Sequence, residues 1–450
     1  MSRATITSRL RNAHPDHHAI ARGMALGALF VFLGKLAGAA KEMAIAWRYG
    51  VSEIVDAYLY VLTLMSWPIA VWFAALVLVL VPLAATIREK SPHELLQFRA
   101  ELFGMTLLLG SALWFVAEIG FRIGLRSSVS GLSGPALQYA LEISPILSSV
   151  LVLGMPISLF SVWMQSARYH ENTLFEAVPA LVLLLVLLFA PSVDAQTLLW
   201  GTVAGFGCQL AALAAWLVPR GEWDVPRFTL QSDHWKAFMQ GFGIMVAGQA
   251  LMGLTSVVDQ LFAARIGPGA ISTLSYGNRV VALIIGLGGT TISRATLPVF
   301  SQAEAKGSEH VARIAVYWTN LLLLIGSIAV VCGWLLAPWG VAALFERGAF
   351  TAKDTRAVTE ILRYGLFQVP FFFSFLVLVS VVSSRHQYSL LFMSGVIGLI
   401  AKLVSNAVLI RLMGINGLVT ANVVVYGINF GFLALAVRFG SGKSLIQERT

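Results

Sequence analysis

The sequence has few charged residues. Asp, Glu, Lys and Arg together make up only 12% of its 450 residues, whereas a soluble globular domain carries about 25%. A chain this poor in charge cannot cover itself with a polar surface, which excludes a water-soluble globular protein. Hydrophobic residues make up 58% of the chain. The composition therefore predicts an integral membrane protein.

Signatures of catalysis and of metal or nucleotide binding are also missing. The only cysteines, Cys208 and Cys332, fall inside apolar stretches and have no metal-binding spacing. The eight histidines form no HExxH pattern, and there is no GxxxxGK[ST] phosphate loop. No paired acids or nucleophile–base spacing stands out, and the net charge of +9 is not gathered into a basic run with aromatics. The sequence predicts a transporter rather than an enzyme, with no cofactor, no metal and no nucleic-acid partner.

Apolar runs of about 20 residues, long enough to cross a bilayer as helices, recur along the whole chain. They predict an all-α polytopic membrane protein with about twelve transmembrane helices. The predicted spans cover residues 20–47, 54–86, 97–120, 138–166, 173–191, 196–218, 236–264, 270–300, 311–337, 357–384, 388–411 and 415–438.

One sequence pattern occurs twice. An acid, five residues, an arginine, one residue and a glycine end the first span at Glu42–Gly50 and the seventh at Asp259–Gly267. Two related halves of six spans each share one orientation in the membrane, as in transporters built from parallel repeats. The predicted organisation is an N-terminal six-helix lobe over residues 1–218, a polar cytoplasmic linker over 219–235 that could hold a short interfacial helix, and a C-terminal six-helix lobe over 236–450.

Lysine and arginine are unevenly divided between the two sides of the predicted helices. The side that carries the linker also carries Arg88, Lys90, Arg220 and Arg227, and its total exceeds that of the other side. By the positive-inside rule, both termini are predicted to lie in the cytoplasm.

Several ionisable residues fall deep within predicted spans. Each costs about 2.5–3.5 kcal/mol to insert at the bilayer centre, so each points to the protein interior or to an aqueous cavity. Lys402 and Asn406 share one helix face at i, i+4 spacing. Both a functional cavity and structural ion pairs between helices stay open as explanations. The deep residues are Lys35, Lys41, Glu42, Asp259, Arg279 and Lys402.

A cavity lined by lysine and arginine favours an anionic substrate. Ammonium and guanidinium groups form charge-assisted hydrogen bonds with phosphate oxygens, so a diphosphate suits such a site. An exporter of organic cations would show the opposite sign of charge. Nearby acids would bind a coupling cation or hold the lysines in place.

Three local motifs carry a family resemblance. They are Leu-Phe-Glu-Arg-Gly-Ala-Phe-Thr at Leu344–Thr351, Gly34–Gly38 with Lys41 and Glu42, and the stretch from Asn406 to Leu418. On these motifs the chain resembles the MurJ/MviN lipid II flippases of the multidrug/oligosaccharidyl-lipid/polysaccharide exporter superfamily.

The resemblance implies a flippase that moves a polyprenyl-diphosphate-linked glycan from the inner to the outer leaflet of the bacterial inner membrane by alternating access, for cell-wall or surface-polysaccharide synthesis. Membrane lipids, and a glycan polymerase or glycosyltransferases, are the further partners it implies. Lys35 and Lys41 match the family's cavity cations on the first helix, and Arg279 matches the one on the eighth. A second-helix cation is absent from Ser66–Ile69.

The alternatives are a flippase for an exopolysaccharide or O-antigen repeat unit, a drug/cation antiporter, and a membrane scaffold without transport activity.

The resemblance also implies supporting and ion-coupling residues, among them Glu42 and Asp56. Some family members hold sodium between an acid on the seventh helix and polar groups on the eleventh and twelfth. Asp259, Asn406 and Thr420 match those positions, whereas Lys402 falls where a neutral ligand is expected. The hypothesis is that the Lys402 ammonium replaces sodium next to Asp259, which predicts sodium-independent transport.

Overall fold

The computed structural model describes the chain from residue 15 to residue 447, apart from residues 128, 168, 170, 305–307 and 386. Side chains are described from residue 30 to residue 438, with further gaps at 92, 290, 294–295, 297–298 and 301–309. The described part consists of helices joined by turns and loops. The helices are α1 (Pro15–Tyr49), α2 (Glu53–Lys90), α3 (Pro92–Gly124), α4 (Gly134–Leu147), α5 (Val150–Ser166), α6 (Asn172–Phe175), α7 (Val178–Phe189), α8 (Ala195–Leu217), α9 (His234–Ala264), α10 (Ala270–Glu304), α11 (Ser308–Phe345), α12 (Ala352–Leu366), α13 (Gln368–Ser384), α14 (Tyr388–Met413) and α15 (Ile415–Gln447).

Most of these helices are long and apolar enough to cross a membrane. Among the described residues ten spans meet that condition, or eleven if the bent pair α4 and α5 forms one span. The predicted first span, 20–47, lies within α1, whose residues before 30 lie outside the described side chains. The protein is therefore an all-α polytopic membrane protein, as the composition predicted.

Several predicted spans have different bounds in the structure, and two of them are informative. The predicted span 138–166 is broken between α4 and α5, which are bent by 51°. The predicted span 357–384 begins too late, because α12 already begins at Ala352. Thr351 and Asp354 form a reciprocal capping box there, and such a box satisfies amides that the first turn of a helix leaves unpaired.

The described chain divides into two compact units. The first contains the described part of Met1–Ala44 together with Trp72–Ala117 and Ile146–Val246. The second contains Ile45–Val71, Glu118–Pro145 and the described chain from Ala247 onward. The second unit thus combines two segments from the first half of the sequence with most of the second half.

In the first unit, α5 is the most deeply buried helix. It packs against α8, which also packs against α7. Trp163, Phe160 and Leu159 of α5 are each 1% exposed or less. Gly205 of α8 lies so near α7 that a Cβ there would meet the backbone of Pro179 at 2.9 Å. Small residues that allow such a close approach are typical of helix packing in membranes.

In the second unit, α13 is central and contacts α10, α11 and α15. Its residue Ser374 donates a hydrogen bond to the Thr319 carbonyl oxygen of α11 at 3.1 Å. Gly326 of α11 allows close contact with Pro370. These contacts fix the helices that carry the polar residues described below.

The two glycines of the repeated pattern have similar backbone roles. Gly50 and Gly267 both have positive φ, at 57° and 134°, and each follows the end of a helix. Residues other than glycine rarely adopt this conformation. The repeat therefore marks two helix ends at which the chain changes direction.

Candidate transport site

A polar cluster lies inside the apolar core of the second unit. Lys402 of α14 is 1% exposed, and its Nζ lies 2.7 Å from Asp259 Oδ1 of α9. The same Nζ donates to Asn422 Oδ1 of α15 at 2.5 Å and to the Leu418 carbonyl oxygen at 3.4 Å. Three helices thus supply oxygen or nitrogen atoms to one buried ion pair.

Asn406 completes this cluster from the next turn of α14. It is 0% exposed, and its Nδ2 donates to Asp259 Oδ1 at 2.9 Å. The i, i+4 spacing of Lys402 and Asn406 brings both side chains to the same carboxylate. A buried charge is tolerated only when it is paired and hydrogen-bonded, and this cluster meets that requirement.

Thr420 and Asn422 of α15 differ from the expectation. The Thr420 hydroxyl donates to the Asn416 carbonyl oxygen of its own helix at 2.8 Å, whereas Asn422 contacts Lys402 directly. Sequence reasoning had not assigned Asn422 to the site. Its signal was an amide side chain two residues after Thr420 on a helix predicted to span the membrane.

The cluster does not fit a sodium ion as the family resemblance would place it. The Lys402 ammonium already bonds oxygen atoms of Asp259, Asn422 and Leu418, which are the atoms that a hard cation would take. A positive charge fixed to the chain stands next to the acid, and a second cation beside it would be repelled.

The two predicted first-helix cations have different surroundings. Lys35 is exposed. The Lys41 side chain is 19% exposed, and its Nζ lies 2.6 Å from Glu42 Oε1. Glu42 is buried, with 6% of its surface exposed. The structure thus pairs Lys41 with Glu42, and both lysines belong to the first unit.

Arg279 lies on α10 in the second unit and is half-buried. Its neighbour Gly277 packs against Ile361 of α12, and Tyr276 is 1% exposed. The helix is thus packed closely just before the position that carries the guanidinium. That Arg279 shares a chamber with Lys35 and Lys41 stays a prediction.

The Asp56 side chain of α2 caps the N-terminus of another helix, α10. Its carboxylate accepts hydrogen bonds from the backbone nitrogens of Gly269 at 2.5 Å and Ser272 at 2.7 Å, at the N-terminus of α10. The first amides of a helix lack partners within the helix, and its dipole favours a negative charge there. These observed partners give Asp56 a structural role as a helix cap from the first half of the sequence.

The Phe-Glu-Arg-Gly turn contacts the end of α1. The Ala349 backbone nitrogen donates to the Trp47 carbonyl oxygen at 2.8 Å. Gly348 has φ of 60°, and a Cβ there would lie 2.4 Å from the Trp47 backbone. The Tyr276 hydroxyl donates to the Gly50 carbonyl oxygen at 3.1 Å. The Phe-Glu-Arg-Gly motif, one of those that carry the family resemblance, therefore connects segments of the two sequence halves within the second unit.

Trp67 occupies the part of α2 where the resemblance would place a cation. Its indole nitrogen donates to the Ala250 carbonyl oxygen of α9 at 3.3 Å. Gly253 provides room for the ring, because a Cβ there would lie 2.9 Å from Trp67. This position thus joins two helices by packing.

Ten or eleven apolar spans among the described residues, with a buried charge pair between three of the helices, are typical of a membrane transporter. The comparisons with known proteins narrow this class. The family described as "Lipid II flippase MurJ" matches residues 45–441. The chain belongs to the MurJ family of lipid II flippases, which are transporters and not enzymes.

Individual relatives agree with this assignment. A probable lipid II flippase MurJ of Thermotoga maritima is 24% identical over 430 residues, covering 93% of this chain and 86% of that protein. One of Helicobacter pylori strain J99 is 30% identical over 192 residues, or 42% of this chain and 41% of that protein.

Solved structures support the fold. A lipid II flippase MurJ in an inward closed conformation superposes with a TM-score of 0.79 at 18% identity, covering 92% of this chain and 87% of that one. An inward-facing multidrug resistance transporter of the MATE family gives a TM-score of 0.71 at 14% identity, covering 91% and 95%. At these identities the likeness shows the fold alone.

Proposed function

We propose that this chain flips a lipid II-type glycan, linked to a polyprenyl diphosphate, from the inner to the outer leaflet. The observation that carries the proposal is the family match over residues 45–441. It favours a lipid-linked precursor of peptidoglycan over an exopolysaccharide repeat, and over the organic cations that an antiporter would export.

Lys35, Lys41 and Arg279 are proposed to receive the diphosphate. Each can donate hydrogen bonds to phosphate oxygens, and bonds to charged groups contribute about 1.5–3 kcal/mol. Glu42 forms an ion pair with Lys41, which would fix the orientation of the Lys41 ammonium before the substrate binds. Lys35 is exposed, so its side chain is not enclosed by the rest of the first unit.

Alternating access is proposed to use the contacts that Asp56, the Phe-Glu-Arg-Gly turn and Trp67 make within the second unit. These contacts join segments of the first sequence half to helices of the second. They consist largely of hydrogen bonds to backbone atoms, which water can replace when the contact opens. Their breakage and re-formation would let two six-helix lobes, 1–218 and 236–450, open on alternate sides.

Sodium is proposed to have no part in this cycle. Lys402 Nζ holds the position beside Asp259 that a sodium ion would need, and it cannot dissociate from the chain. The energy source would then be another gradient, the membrane potential or the supply and removal of substrate. Glu42, Asp259, Asn406 and Thr420 would support the lobes rather than bind a coupling ion.

The proposed location is the bacterial inner membrane, with both termini in the cytoplasm. The cation-rich connections that include Arg88, Lys90 and Arg220 support this orientation. A glycan polymerase or glycosyltransferases that use the flipped lipid are the proposed functional partners, because they would remove the product from the outer leaflet.

The test is a flipping assay with purified protein in vesicles. Fluorescent lipid II, a polyprenyl-diphosphate-linked O-antigen repeat and a cationic dye are offered separately. We expect lipid II to reach the outer leaflet faster than in protein-free vesicles, and faster than the O-antigen lipid. Preferential movement of the O-antigen lipid or of the dye would overturn the proposed substrate.

A further inference from the structure

Two charged residues of α3 are buried within the first unit. Arg99 is 3% exposed and Glu101 is 0% exposed. They stand near the beginning of a helix that is otherwise suited to span a membrane. Charges buried this deeply must be compensated by nearby partners. Nearly all of their described partners come from residues 221–235, which are the connection between the two sequence halves and the first two residues of α9; this segment is here called the strap.

Arg99 binds the beginning of the strap. Its guanidinium pairs with Glu222 and Asp224, and it donates to the Gly221 carbonyl oxygen at 2.8 Å. Arg88 reinforces this contact, with its guanidinium 3.1 Å from Glu222 Oε1. Trp163 Nε1 donates to Glu222 Oε2 at 2.8 Å. Two acids of the strap, Glu222 and Asp224, are thus paired with cations of the first unit.

Glu101 binds the end of the strap. Its carboxylate accepts hydrogen bonds from the Thr229 hydroxyl at 2.9 Å and from the backbone nitrogens of Gln231 and Ser232, each at 3.1 Å. Trp235 Nε1 donates to the same carboxylate at 2.7 Å. One carboxylate therefore satisfies backbone amides of a segment that has no regular secondary structure of its own.

Between these two anchor points, a backbone hydrogen bond and side-chain packing hold the strap against α3 and α5. The Arg227 backbone nitrogen donates to the Ala100 carbonyl oxygen at 2.9 Å. Gly104 makes room for the strap, because a Cβ there would lie 2.1 Å from the Arg227 carbonyl oxygen. Trp223 stacks on Phe160 with ring centroids 4.2 Å apart. The strap is thus bound along its length.

We infer that Arg99 and Glu101 are positioning residues for transport. They make the connection between the halves a fixed part of the first unit and set where α9, which carries Asp259, begins. A passive tether would need neither buried charges nor a glycine at the point of contact. The inference is independent of which substrate is flipped, because Lys35, Lys41 and Arg279 are not among the described residues that contact the strap.

Hydrogen–deuterium exchange of the wild-type protein tests the strap without any substitution. We expect the amides of Arg227, Gln231 and Ser232 to exchange at least about a hundredfold more slowly than amides of an open loop, because each is bonded within the first unit. Addition of lipid II should leave this protection in place. Exchange at the rate of an open loop, or loss of protection during transport, would overturn the inference.

A pair of variants tests the effect on transport. Arg99→Gln should expose the strap to trypsin after Arg220 and Arg227 and lower flipping per folded molecule about tenfold, through a misplaced α9. Arg122→Gln is the matched control, since Arg122 lies on the same helix in an exposed i, i+4 pair with Glu118. It should change neither trypsin cleavage nor flipping. Glu101→Asp should retain part of the protection and part of the flipping.

The outcomes separate this inference from the proposed substrate. An Arg99→Gln protein that folds and resists trypsin would show that Arg99 does not hold the strap. A folded variant that is cleaved yet flips at the wild-type rate would show that the strap is not needed for transport. If Arg99→Gln fails to fold, the exchange measurement on the wild type decides. Failure of lipid II flipping by the wild type would refute the substrate and leave the exchange result standing.

Discussion

Arg279→Ala is expected to reduce flipping of a lipid-linked diphosphate by about tenfold to a hundredfold, because a charge-assisted hydrogen bond to phosphate contributes about 1.5–3 kcal/mol. Arg279 lies on α10 just after two residues that pack closely: Tyr276 is 1% exposed and Gly277 contacts Ile361. Loss of the half-buried guanidinium should therefore leave the helix in place. The measurement is the flipping rate in vesicles at equal amounts of inserted protein.

Arg313→Ala provides the control for Arg279→Ala. Arg313 is an exposed arginine of α11, and its removal should leave both insertion and flipping unchanged. Arg279→Lys keeps the charge without the forked geometry, so its flipping rate should lie between those of the wild type and Arg279→Ala. Wild-type flipping by Arg279→Ala would contradict a role for this residue in binding the diphosphate.

Lys402→Ala is expected to destabilise the protein by about 3–5 kcal/mol, because removal of one member of a buried ion pair leaves the other charge uncompensated. The cavity left by the lysine side chain would be lined by oxygen atoms of Asp259, Asn422 and Leu418. A sodium ion can occupy such a site. The variant should therefore gain a sodium-dependent rise in melting temperature that the wild type lacks.

The melting temperatures and flipping rates of Lys402→Ala and of the wild type are compared in sodium chloride and in choline chloride. Wild-type melting temperature and flipping rate should be equal in the two salts. Lys353→Ala, at an exposed position of α12, should change stability by less than about 0.5 kcal/mol and show no response to sodium. A strict sodium requirement in the wild type would refute the replacement of sodium by Lys402.

The helices were largely predictable from the sequence, whereas their breaks were not. Apolar runs predict α8, α9 and α14 within two residues at either end, since burial in lipid demands a continuous apolar stretch. The bend between α4 and α5 lies beside Ser149, whose hydroxyl donates to the Ile146 carbonyl oxygen at 2.6 Å, and α12 begins at the capping box of Thr351 and Asp354. Average hydropathy does not report such local bonds.

Residues of the candidate site were predictable where a charge stood in an apolar run. Lys402 and Asp259 were singled out on that basis, and the structure brings them into contact. The cap formed by Asp56 was not predicted, because its partners Gly269 and Ser272 lie more than 200 residues further along the chain. The strap was missed for the same reason. A polar segment looks like a solvated linker until its partners Arg99 and Glu101 are known.

Substrate protection of three introduced cysteines tests the central claim most directly. Cys208 and Cys332, both exposed, are first replaced by serine, and Lys35→Cys, Lys41→Cys and Arg279→Cys are then made one at a time. A water-soluble thiol reagent should label all three positions from the same side of the membrane, and bound lipid II should slow all three reactions. Labelling from opposite sides, or labelling of Arg279→Cys that lipid II leaves unchanged, would contradict a single chamber that binds the diphosphate.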